Sequence, residues 1–416
     1  MNNKLSILHI AYSRHKFLQA VTDVFGSDER LENRYLFIED PGILRRTKHH
    51  ASGCQADSSR KQSREVIKAG DYDVAYFHSL PDNAWSLLKL VPRDKTIIWW
   101  AWGYDLHESN YRLPPFIPLR YKPITKSWMR NAFGVAFRLK QPVKWLYGRL
   151  FIKRYRKEVL RRVDYFQPAL AYEWQMMKDK YKDFHAQIFL APFSHPQISQ
   201  ATHSPAGEGA ATPPIPELQS PTRSLSEGWG VMLGNSGSFG GNLPDTIEVI
   251  DKAFKAGDEN TLFRRSGGCF IVPLSYGQSQ QYMDRVKQRL EASSLHYRVL
   301  DKFLPLEDYQ IIMSTCPFMV NGTLVQGAVG NITFALTNGA KVFLWRDSIL
   351  YHHYKEMGMK VFTIDDIDCH SFDEPLPQED YQHNLDIINK DFYKRKNVYD
   401  QVINELIDKH NGLKSG

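Results

Sequence analysis

Short apolar runs recur along this chain, separated by segments long enough for one helix each. In the first half they are LSILHIAY (5–12), YLFIED (35–40), DVAYFHS (73–79), TIIWWAWG (96–103), DYFQPAL (164–170) and QIFLAPF (187–193). Runs that are apolar throughout, rather than alternating with polar residues, are typical of strands buried on both faces of a parallel sheet. The alternation of such strands with helices predicts an α/β fold.

The same alternation starts again near residue 230. Its strand-like runs are 231–237, 269–276, 297–301, 317–322, 340–345 and 360–365, and the predicted helices are 243–256, 279–294, 306–315, 331–338 and 348–357. A chain of 416 residues exceeds one ordinary hydrophobic core, so two domains are expected. Residues 199–228, rich in Pro, Ser, Gly and Thr, read as a linker. We therefore expect domains at 1–198 and 229–380, followed by amphipathic helices at 381–416 that pack back on the body.

Composition narrows the possible functions. The four cysteines, Cys54, Cys269, Cys316 and Cys369, have neither metal-ligand spacing nor a disulfide pattern, so we expect no metal site and a reducing compartment. The N-terminal apolar stretch is too short for a signal peptide, and the sequence holds no apolar run of about 18 residues. The protein is expected in the cytosol, or on a membrane that it does not span.

The net charge of +7 is concentrated in residues 120–162, which carry fourteen Lys and Arg against one acid, Glu158. Aromatic residues are interleaved with the cations. The candidates to face a membrane are Trp128, Arg130, Arg138, Lys144, Trp145 and Arg149. Cations and aromatic rings together suit an anionic bilayer surface. Nucleic acid uses the same chemistry, and a solvated helix pair with its aromatics turned inward is the third interpretation.

A polar cluster follows the tryptophan-rich run WWAWG. Asp105, His107, Glu108 and Arg112 lie within eight residues of one another, beside Gly103. The carboxyl ends of parallel strands are where doubly wound sheets bind ligands. A carboxylate among apolar walls can act as a general base, so Asp105 is the first catalytic candidate, with His78 and His15 as the next.

Two glycine-rich turns in the second half each follow a strand and precede a helix. The first, LGNSGSFGGN, contains Gly234, Gly237 and Asn242, a predicted N-cap, and the second, QGAVGN, contains Gln326, Gly327 and Gly330. Amide groups at a helix start suit a phosphate, so two such turns fit a diphosphate. Between them, Pro273 and Tyr276 end another strand, and aromatic rings there can stack on a base or sugar.

These motifs resemble a known family, the bacterial TDP-N-acetylfucosamine:lipid II N-acetylfucosaminyltransferases of enterobacterial common antigen assembly. The resemblance is carried by WWAWGYDLHE with the downstream FIPLR, by LGNSGSFGGN, by IVPLSYG and by QGAVGNITFALTNGAKVFL, in family order between residues 96 and 346. The sequence departs from the family pattern at GGNLPD and at VQGAVGNI.

The resemblance implies a GT-B glycosyltransferase with two facing Rossmann-like domains and no metal or other cofactor. It implies a dTDP-sugar donor on the C-terminal domain, bound by Gly234, Asn235, Ser236, Gly237, Asn242, Pro273, Tyr276, Gln326, Gly327, Gly330 and Asn331. The acceptor, a polyprenyl-diphosphate-linked saccharide, would contact His107, Glu108 and Arg112. The expected location is the cytoplasmic face of the bacterial inner membrane, as a peripheral protein.

Three alternatives stay open. The protein could use a UDP- or GDP-sugar on another acceptor, or bind nucleotide sugars at the membrane without catalysis. Nucleic-acid binding is the weakest alternative, because the basic residues belong to no recognised RNA- or DNA-binding module.

Overall fold

A computed structural model of the protein shows twelve strands, with helices between them, in the residues that it describes. It describes residues 4–12, 18–38, 60–118, 120–132, 135–192, 230–277 and 280–414. The predicted linker at 199–228 and His15 lie outside these residues. The chain divides into two compact units: unit 1 comprises Met1–Pro118, Arg138–Gln200 and Asp391–Gly416, and unit 2 comprises Leu119–Phe137 and Ala201–Lys390.

Unit 1 contains a parallel six-stranded sheet among its described residues. Its strands are β1 (Leu5–Tyr12), β2 (Leu31–Ile38), β3 (Val74–His78), β4 (Thr96–Trp100), β5 (Tyr165–Gln167) and β6 (Gln187–Ile188), in the order β2-β1-β3-β4-β5-β6. Its helical segments are Leu18–Gly26, Arg60–Ala69, Trp85–Leu90, Tyr104–His107, Val135–Tyr147, Gly148–Ile152, Tyr155–Arg162 and Ala171–Lys180, the fifth of which begins in unit 2. From β1 the chain adds β2 on one side of the sheet and β3 to β6 on the other. The boundary between β1 and β3 is therefore the switch point at which such sheets bind ligands.

Strands β3 and β4 are buried at every residue, as their continuous apolar runs predict. Strand β2 begins earlier than the predicted run at 35–40, because Leu31–Arg34 form an alternating half that exposes Glu32 and Arg34. It lies at the edge of the sheet, where a polar face is tolerated. An alternating segment of this kind is missed by a search for continuous apolar runs.

Unit 2 contains a second parallel six-stranded sheet among its described residues. Its strands are β7 (Gly230–Leu233), β8 (Cys269–Pro273), β9 (Tyr297–Leu300), β10 (Phe318–Asn321), β11 (Lys341–Leu344) and β12 (Phe362–Thr363), in the order β12-β11-β10-β7-β8-β9. Its helical segments are Pro123–Ala132, Phe239–Gly241, Leu243–Ala256, Leu262–Arg265, Gln280–Glu291, Leu306–Ser314, Val329–Thr337, Ile349–Glu356, Ile364–Asp366 and the first part of Gln378–Lys414. The order is that of a Rossmann sheet, with the switch point between β7 and β10.

The C-terminal segment is a single helix, Gln378–Lys414. Its later part contributes Tyr399, Val402, Ile403 and Leu406 to the hydrophobic core of unit 1. The expected packing of this segment against the body is therefore observed for unit 1.

The basic stretch 120–162 is divided between the two units. Residues Leu119–Phe137 belong to unit 2, although the sequence places them with the first domain. Helix Pro123–Ala132 is held there by Asp245, whose carboxylate accepts hydrogen bonds from the amides of Ile124 and Thr125, both at 2.8 Å. These amides are two of the donors left unpaired at a helix start, so Asp245 acts as the missing cap.

Candidate functional site

The turn after β7 requires glycine at its first position. Gly234 has a φ of +75°, and a Cβ there would lie 2.7 Å from Leu243 Cδ2. Its amide donates to Val320 O of β10 at 2.8 Å, which ties the turn to the neighbouring strand at the switch point. A glycine here lets helix Leu243–Ala256 begin directly against the end of β7.

The loops after β7 and β8 touch backbone to backbone. The amide of Gly237 donates to Tyr276 O at 2.8 Å, and a Cβ on Gly277 would lie 2.4 Å from the carbonyl carbon of Gly237. The side chain of Asn235 hydrogen-bonds Tyr276, whose pKa is raised by partial burial. With 42% of its surface exposed, Tyr276 presents an aromatic ring at this edge. The structure therefore brings together the GNSG turn and the VP-x-x-Y segment.

Asn242 occupies the N-cap position of helix Leu243–Ala256, as predicted, but its side chain makes no capping hydrogen bond. Its Nδ2 donates to Gly322 O at 2.8 Å, and its Oδ1 accepts from the amide of Lys122 at 2.9 Å. Asn242 is fully buried. Its role in this structure is to join three segments of unit 2, and its polar atoms are not presented to a ligand.

The second glycine-rich turn leads into helix Val329–Thr337. Gly327 is required sterically, since a Cβ would lie 2.5 Å from Thr323 Cγ2, whereas Gly330 is exposed with open space around it. Asn331 donates to the Tyr309 hydroxyl at 3.4 Å, and Gln326 is partly buried. The helix thus starts at an open edge near the switch point.

Two buried donors at this edge have no acceptor among the described residues. They are Asn321 Nδ2, at the end of β10, and Trp345 Nε1, just after β11. Asn321 is 1% exposed and its Oδ1 accepts from Thr323, while Trp345 is 4% exposed. A Cβ on Gly322 would lie 3.3 Å from Trp345 Nε1. Buried N–H groups normally have acceptors, so these two mark where a ligand or ordered water is needed.

Lys122 brings a cation to the same strand end. Its Nζ lies 4.1 Å from the centre of the Trp345 ring and pairs with Asp347 at 2.8 Å. Sequence reasoning missed Lys122, Asn321 and Trp345. The polar end of the apolar run PFMVNG was a usable signal for Asn321. No local pattern indicates Lys122, which lies some 220 residues before Trp345 in the sequence.

In unit 1, Asp105 is buried and fully engaged. Its Oδ2 accepts from the amide of Leu80 and from Trp99 Nε1, both at 2.8 Å, and its Oδ1 accepts from the amide of Trp102 at 2.9 Å. Burial raises the pKa of Asp105, and these hydrogen bonds oppose that shift. With 3% exposure and three internal donors, the carboxylate ties the end of β4 to the loop after β3. This arrangement suits a positioning residue rather than the predicted general base.

His78, at the end of β3, takes part in a buried chain of hydrogen bonds. Asn33 Nδ2 donates to Phe25 O, so its Oδ1 faces His9 Nε2, at 2.9 Å. His9 Nδ1 lies 2.9 Å from His78 Nε2. Burial lowers the pKa of His9 to about 4, against the effect of the hydrogen bond to Asn33.

The proton positions in this series of hydrogen bonds follow from Asn33 Oδ1, which can only accept. Neutral His9 must carry its proton on Nε2 to bond Asn33, which leaves Nδ1 as an acceptor. His78 Nε2 therefore donates to it, and the basic nitrogen of neutral His78 is Nδ1. These hydrogen bonds hold His78 at the β1/β3 switch point with Nδ1 as its acceptor nitrogen.

The predicted acceptor residues differ in setting. His107 is buried, with Nδ1 3.0 Å from Ile117 O and Nε2 3.3 Å from Glu173 Oε1, so it holds the structure together. Glu108 and Arg112 are exposed, and Arg112 has a φ of 55°. Within the described part of the chain, no group of three His, Cys, Asp or Glu side chains could hold a metal ion.

The membrane-facing candidates also separate. Trp128 is partly buried against the core of unit 2, with its ring centre 6.2 Å from that of Tyr282 and 4.3 Å from the Arg285 guanidinium, and its predicted membrane contact stays a prediction. Arg130, Lys144, Trp145 and Arg149 are exposed. Arg138 lies in helix Val135–Tyr147, and its side chain is outside the described part. None of the helices in the described ranges is long and apolar enough to cross a bilayer.

Solved structures of trehalose-phosphate synthases are similar to this chain. An α,α-trehalose-phosphate synthase (UDP-forming) from Burkholderia xenovorans, in complex with glucose-6-phosphate, has a TM-score of 0.55 at 10% identity, covering 96% of this chain and 99% of that one. The α,α-trehalose 6-phosphate synthase from Burkholderia multivorans has a TM-score of 0.57 at 9% identity, covering 99% and 98%. Neither a family model nor a curated protein matches the sequence. At such identities the similarity concerns the fold, and the chain has the GT-B glycosyltransferase fold.

Proposed function

We propose that this protein is a glycosyltransferase that moves a sugar from a nucleotide sugar to a hydroxyl group of an acceptor. The observation that carries the proposal is the strand-end edge of unit 2 in a GT-B fold. There, two glycine-rich turns lie at the β7/β10 switch point, with two buried N–H donors that have no acceptor in the described part of the chain. Doubly wound sheets bind nucleotides at this position. Unit 2 is the donor-binding unit in the proposal, and unit 1 binds the acceptor.

The leaving nucleoside diphosphate needs its developing negative charge stabilised. The amides at the start of helix Val329–Thr337, the N–H groups of Asn321 and Trp345, and the Lys122 ammonium are the groups that can do this. Loss of one such donor typically costs about 10²–10³ in kcat. The sequence resemblance supports a reaction without a metal, in which these groups carry the electrostatic stabilisation.

The acceptor hydroxyl requires a base, and His78 replaces Asp105 as our first choice. Its Nδ1 takes the hydroxyl proton, the acceptor oxygen bonds to the anomeric carbon, and the bond from that carbon to the phosphate oxygen breaks. The nucleoside diphosphate leaves with the electron pair. His78 is only 5% exposed, so the acceptor must open this edge on binding.

The sequence resemblance supports a particular substrate pair. The donor would be a dTDP-activated N-acetylated dideoxyhexose, N-acetylfucosamine (Fuc4NAc), and the acceptor a polyprenyl-diphosphate-linked saccharide. The reaction would take place at the cytoplasmic face of the bacterial inner membrane, in surface polysaccharide synthesis. A UDP-sugar is the second candidate, because one solved structure of the same fold is described as UDP-forming.

Thermal unfolding with nucleotides tests the donor site. We expect dTDP at 100 times its Kd to stabilise the protein by about 2.7 kcal/mol. Asn321→Asp keeps the acceptor oxygen for Thr323 but replaces the N–H donor by a negative charge, and should lose this protection. Asn260→Asp adds the same charge at an exposed position of unit 2 and should keep it. Protection by UDP or GDP alone would favour the second candidate, and protection by no nucleotide would refute the enzyme.

Mass spectrometry of lipid-linked glycans separates catalysis from binding. Cells that carry His78→Gln in place of the wild-type chain should lack a terminal N-acetylated dideoxyhexose. A normal glycan pattern in these cells, with normal protein levels, would show that His78 is not the base. A normal pattern in cells that lack the whole chain would show that the protein does not catalyse this transfer.

A further inference from the structure

Residues 140–157 expose an unusual run of large apolar side chains in unit 1. Val143 is 70% exposed and Leu150 is 58% exposed, and Trp145, Leu146, Tyr147 and Phe151 are between 42% and 50% exposed. Single exposed apolar residues are ordinary on soluble proteins, but contiguous groups of this size mark interaction surfaces. We call residues 140–157 the basic apolar surface.

The basic apolar surface is fixed to unit 1 by contacts with Tyr111. Gly148 is buried against Tyr111, where a Cβ would lie 2.5 Å from Tyr111 Cβ, and the Tyr111 and Tyr147 rings are 5.4 Å apart. Ile152 is buried on the same side. Gly148 and Ile152, one helical turn apart, are therefore buried against unit 1, whereas residues 142–147 and 149–151 are all exposed. Tyr111 lies six residues after Asp105, so the anchor is the segment that leaves the strand-end edge of the sheet.

The charge of the surface has one sign. Residues 140–157 contain seven cations and no acid. Arg156 is used internally, by Pro114 O and the Tyr181 hydroxyl. The others are exposed: Lys140, Lys144, Arg149, Lys153, Arg154 and Lys157. The Arg149 guanidinium lies 5.3 Å from the centre of the Trp145 ring, so cations and apolar groups share one face.

We propose that the basic apolar surface docks in the plane of an anionic lipid bilayer. Exposed Val143, Leu146 and Leu150 are aliphatic and gain nothing by stacking on nucleic-acid bases, whereas they are stabilised by entering the acyl boundary. A second copy of the chain would present the same positive charge and would be repelled. Cations near an anionic leaflet and aromatic rings at the interface complete the match.

The proposal deepens the proposed function, because it brings the strand-end edge of unit 1 to a lipid-linked acceptor. It also revises the sequence expectation. The membrane-contacting part of the basic stretch is residues 140–157, since Trp128 and its helix are packed in unit 2.

Vesicle flotation of the full-length protein tests the surface. We expect binding to vesicles of phosphatidylcholine with 30% phosphatidylglycerol, and at least tenfold weaker binding to phosphatidylcholine alone. Each Lys→Gln exchange at Lys144 or Lys153 should weaken binding about fivefold. Leu146→Ser with Leu150→Ser should reduce binding about tenfold or more. The matched control, Phe303→Ser with Leu306→Ser, removes apolar residues of unit 2 that are 79% and 68% exposed, and should bind as the wild type does.

Three results would overturn the surface: no vesicle binding by the wild type, equal binding to neutral and anionic vesicles, or unchanged binding by the Leu146 and Leu150 double variant. Binding of an RNA oligonucleotide without binding to vesicles would do the same. Transfer by the wild type to a short-chain acceptor in detergent tests the enzyme separately. Vesicle binding without transfer would refute the proposed enzyme activity but support the proposed membrane surface. Transfer without vesicle binding would support the enzyme activity and refute the membrane surface.

Discussion

At the scale of residues, two buried ionisable groups of unit 1 lower the free energy of unfolding at opposite ends of the pH range. Asp105 is a carboxylate held by three donors, and burial favours its neutral form. His9 is an imidazole held neutral between Asn33 and His78. Asp105 joins the loops that follow β3 and β4, His9 joins β1 to β2 and β3, and both side chains are buried.

Asp105→Asn should destabilise unit 1 by about 1–3 kcal/mol, because an amide nitrogen would face an N–H donor in place of one carboxylate oxygen. Because burial raises the pKa of Asp105, the ionised carboxylate destabilises the folded state. The free energy of unfolding therefore falls as the pH rises from 3.8, the ordinary pKa of Asp, through the higher pKa of the folded protein. Asn removes this pH dependence. Urea unfolding at several pH values measures both effects.

Glu108→Gln, at an exposed neighbour, should leave the free energy of unfolding within about 0.5 kcal/mol of wild type. If Asp105→Asn folded with wild-type stability but lost catalytic activity, Asp105 would be the base after all.

His9 should make unit 1 less stable in mild acid. The folded pKa is about 4 against an ordinary 6.5, so its contribution is complete above pH 6.5 and is lost as pH falls towards 4. The loss amounts to about 3 kcal/mol. His9→Gln, which retains a donor and an acceptor, should flatten the stability curve over this range, whereas exposed His185→Gln should not. Identical slopes for wild type and His9→Gln would contradict the buried neutral imidazole.

At the scale of elements, the strand-end loops of unit 2 are defined by backbone contacts. Gly237 and Gly277 form an isolated bridge between the loops after β7 and β8. Gly234 and Gly322 allow similar close approaches to Leu243 and to Gly241 O. The glycines at these positions therefore determine how closely the loops of the candidate donor site approach one another.

Gly277→Ala should destabilise unit 2 by about 2 kcal/mol or more, since φ is +139° and the new Cβ would collide with the backbone of Gly237. It should also weaken nucleotide protection in thermal unfolding, because Tyr276 would shift. Gly240→Ala is the control in the same segment, where a Cβ would meet only Ser238 Oγ at 3.9 Å. Equal stability of the two variants would show that the loops can separate without cost.

At the scale of the whole molecule, neither unit is a continuous stretch of chain. Residues Leu119–Phe137 leave unit 1 to join unit 2, and Asp391–Gly416 return to unit 1 after unit 2 is complete. The last helix is thus part of the core that holds the first strand.

Ile403→Ala should destabilise unit 1 by about 2–5 kcal/mol, because a fully buried side chain is removed from a packed core. Tyr393→Ala, at a 57% exposed position of the same helix, should have little effect. Thermal unfolding followed by calorimetry measures both. A small effect of Ile403→Ala would mean that unit 1 is stable without its C-terminal segment.

The sequence by itself determined the α/β class, the parallel strands and most helix bounds of the second half. Helix Leu243–Ala256 matches its predicted range, and Gly339, with φ at +75°, lies two residues after the end of helix Val329–Thr337. These features depend on local periodicity, on glycine conformation and on continuous burial, which a short window of residues expresses. The strand-end position of the GNSG and WWAWG motifs has the same origin.

Only the tertiary structure decided which polar groups are occupied. Asp105 and Asn242 bond segments distant in sequence, Lys122 reaches the end of β11, and Trp128 turns inward while Trp145 stays exposed. Each of these outcomes depends on pairing between residues that are far apart in the chain. A local pattern shows that a side chain can form a hydrogen bond, but the partner is supplied by the packing of other elements.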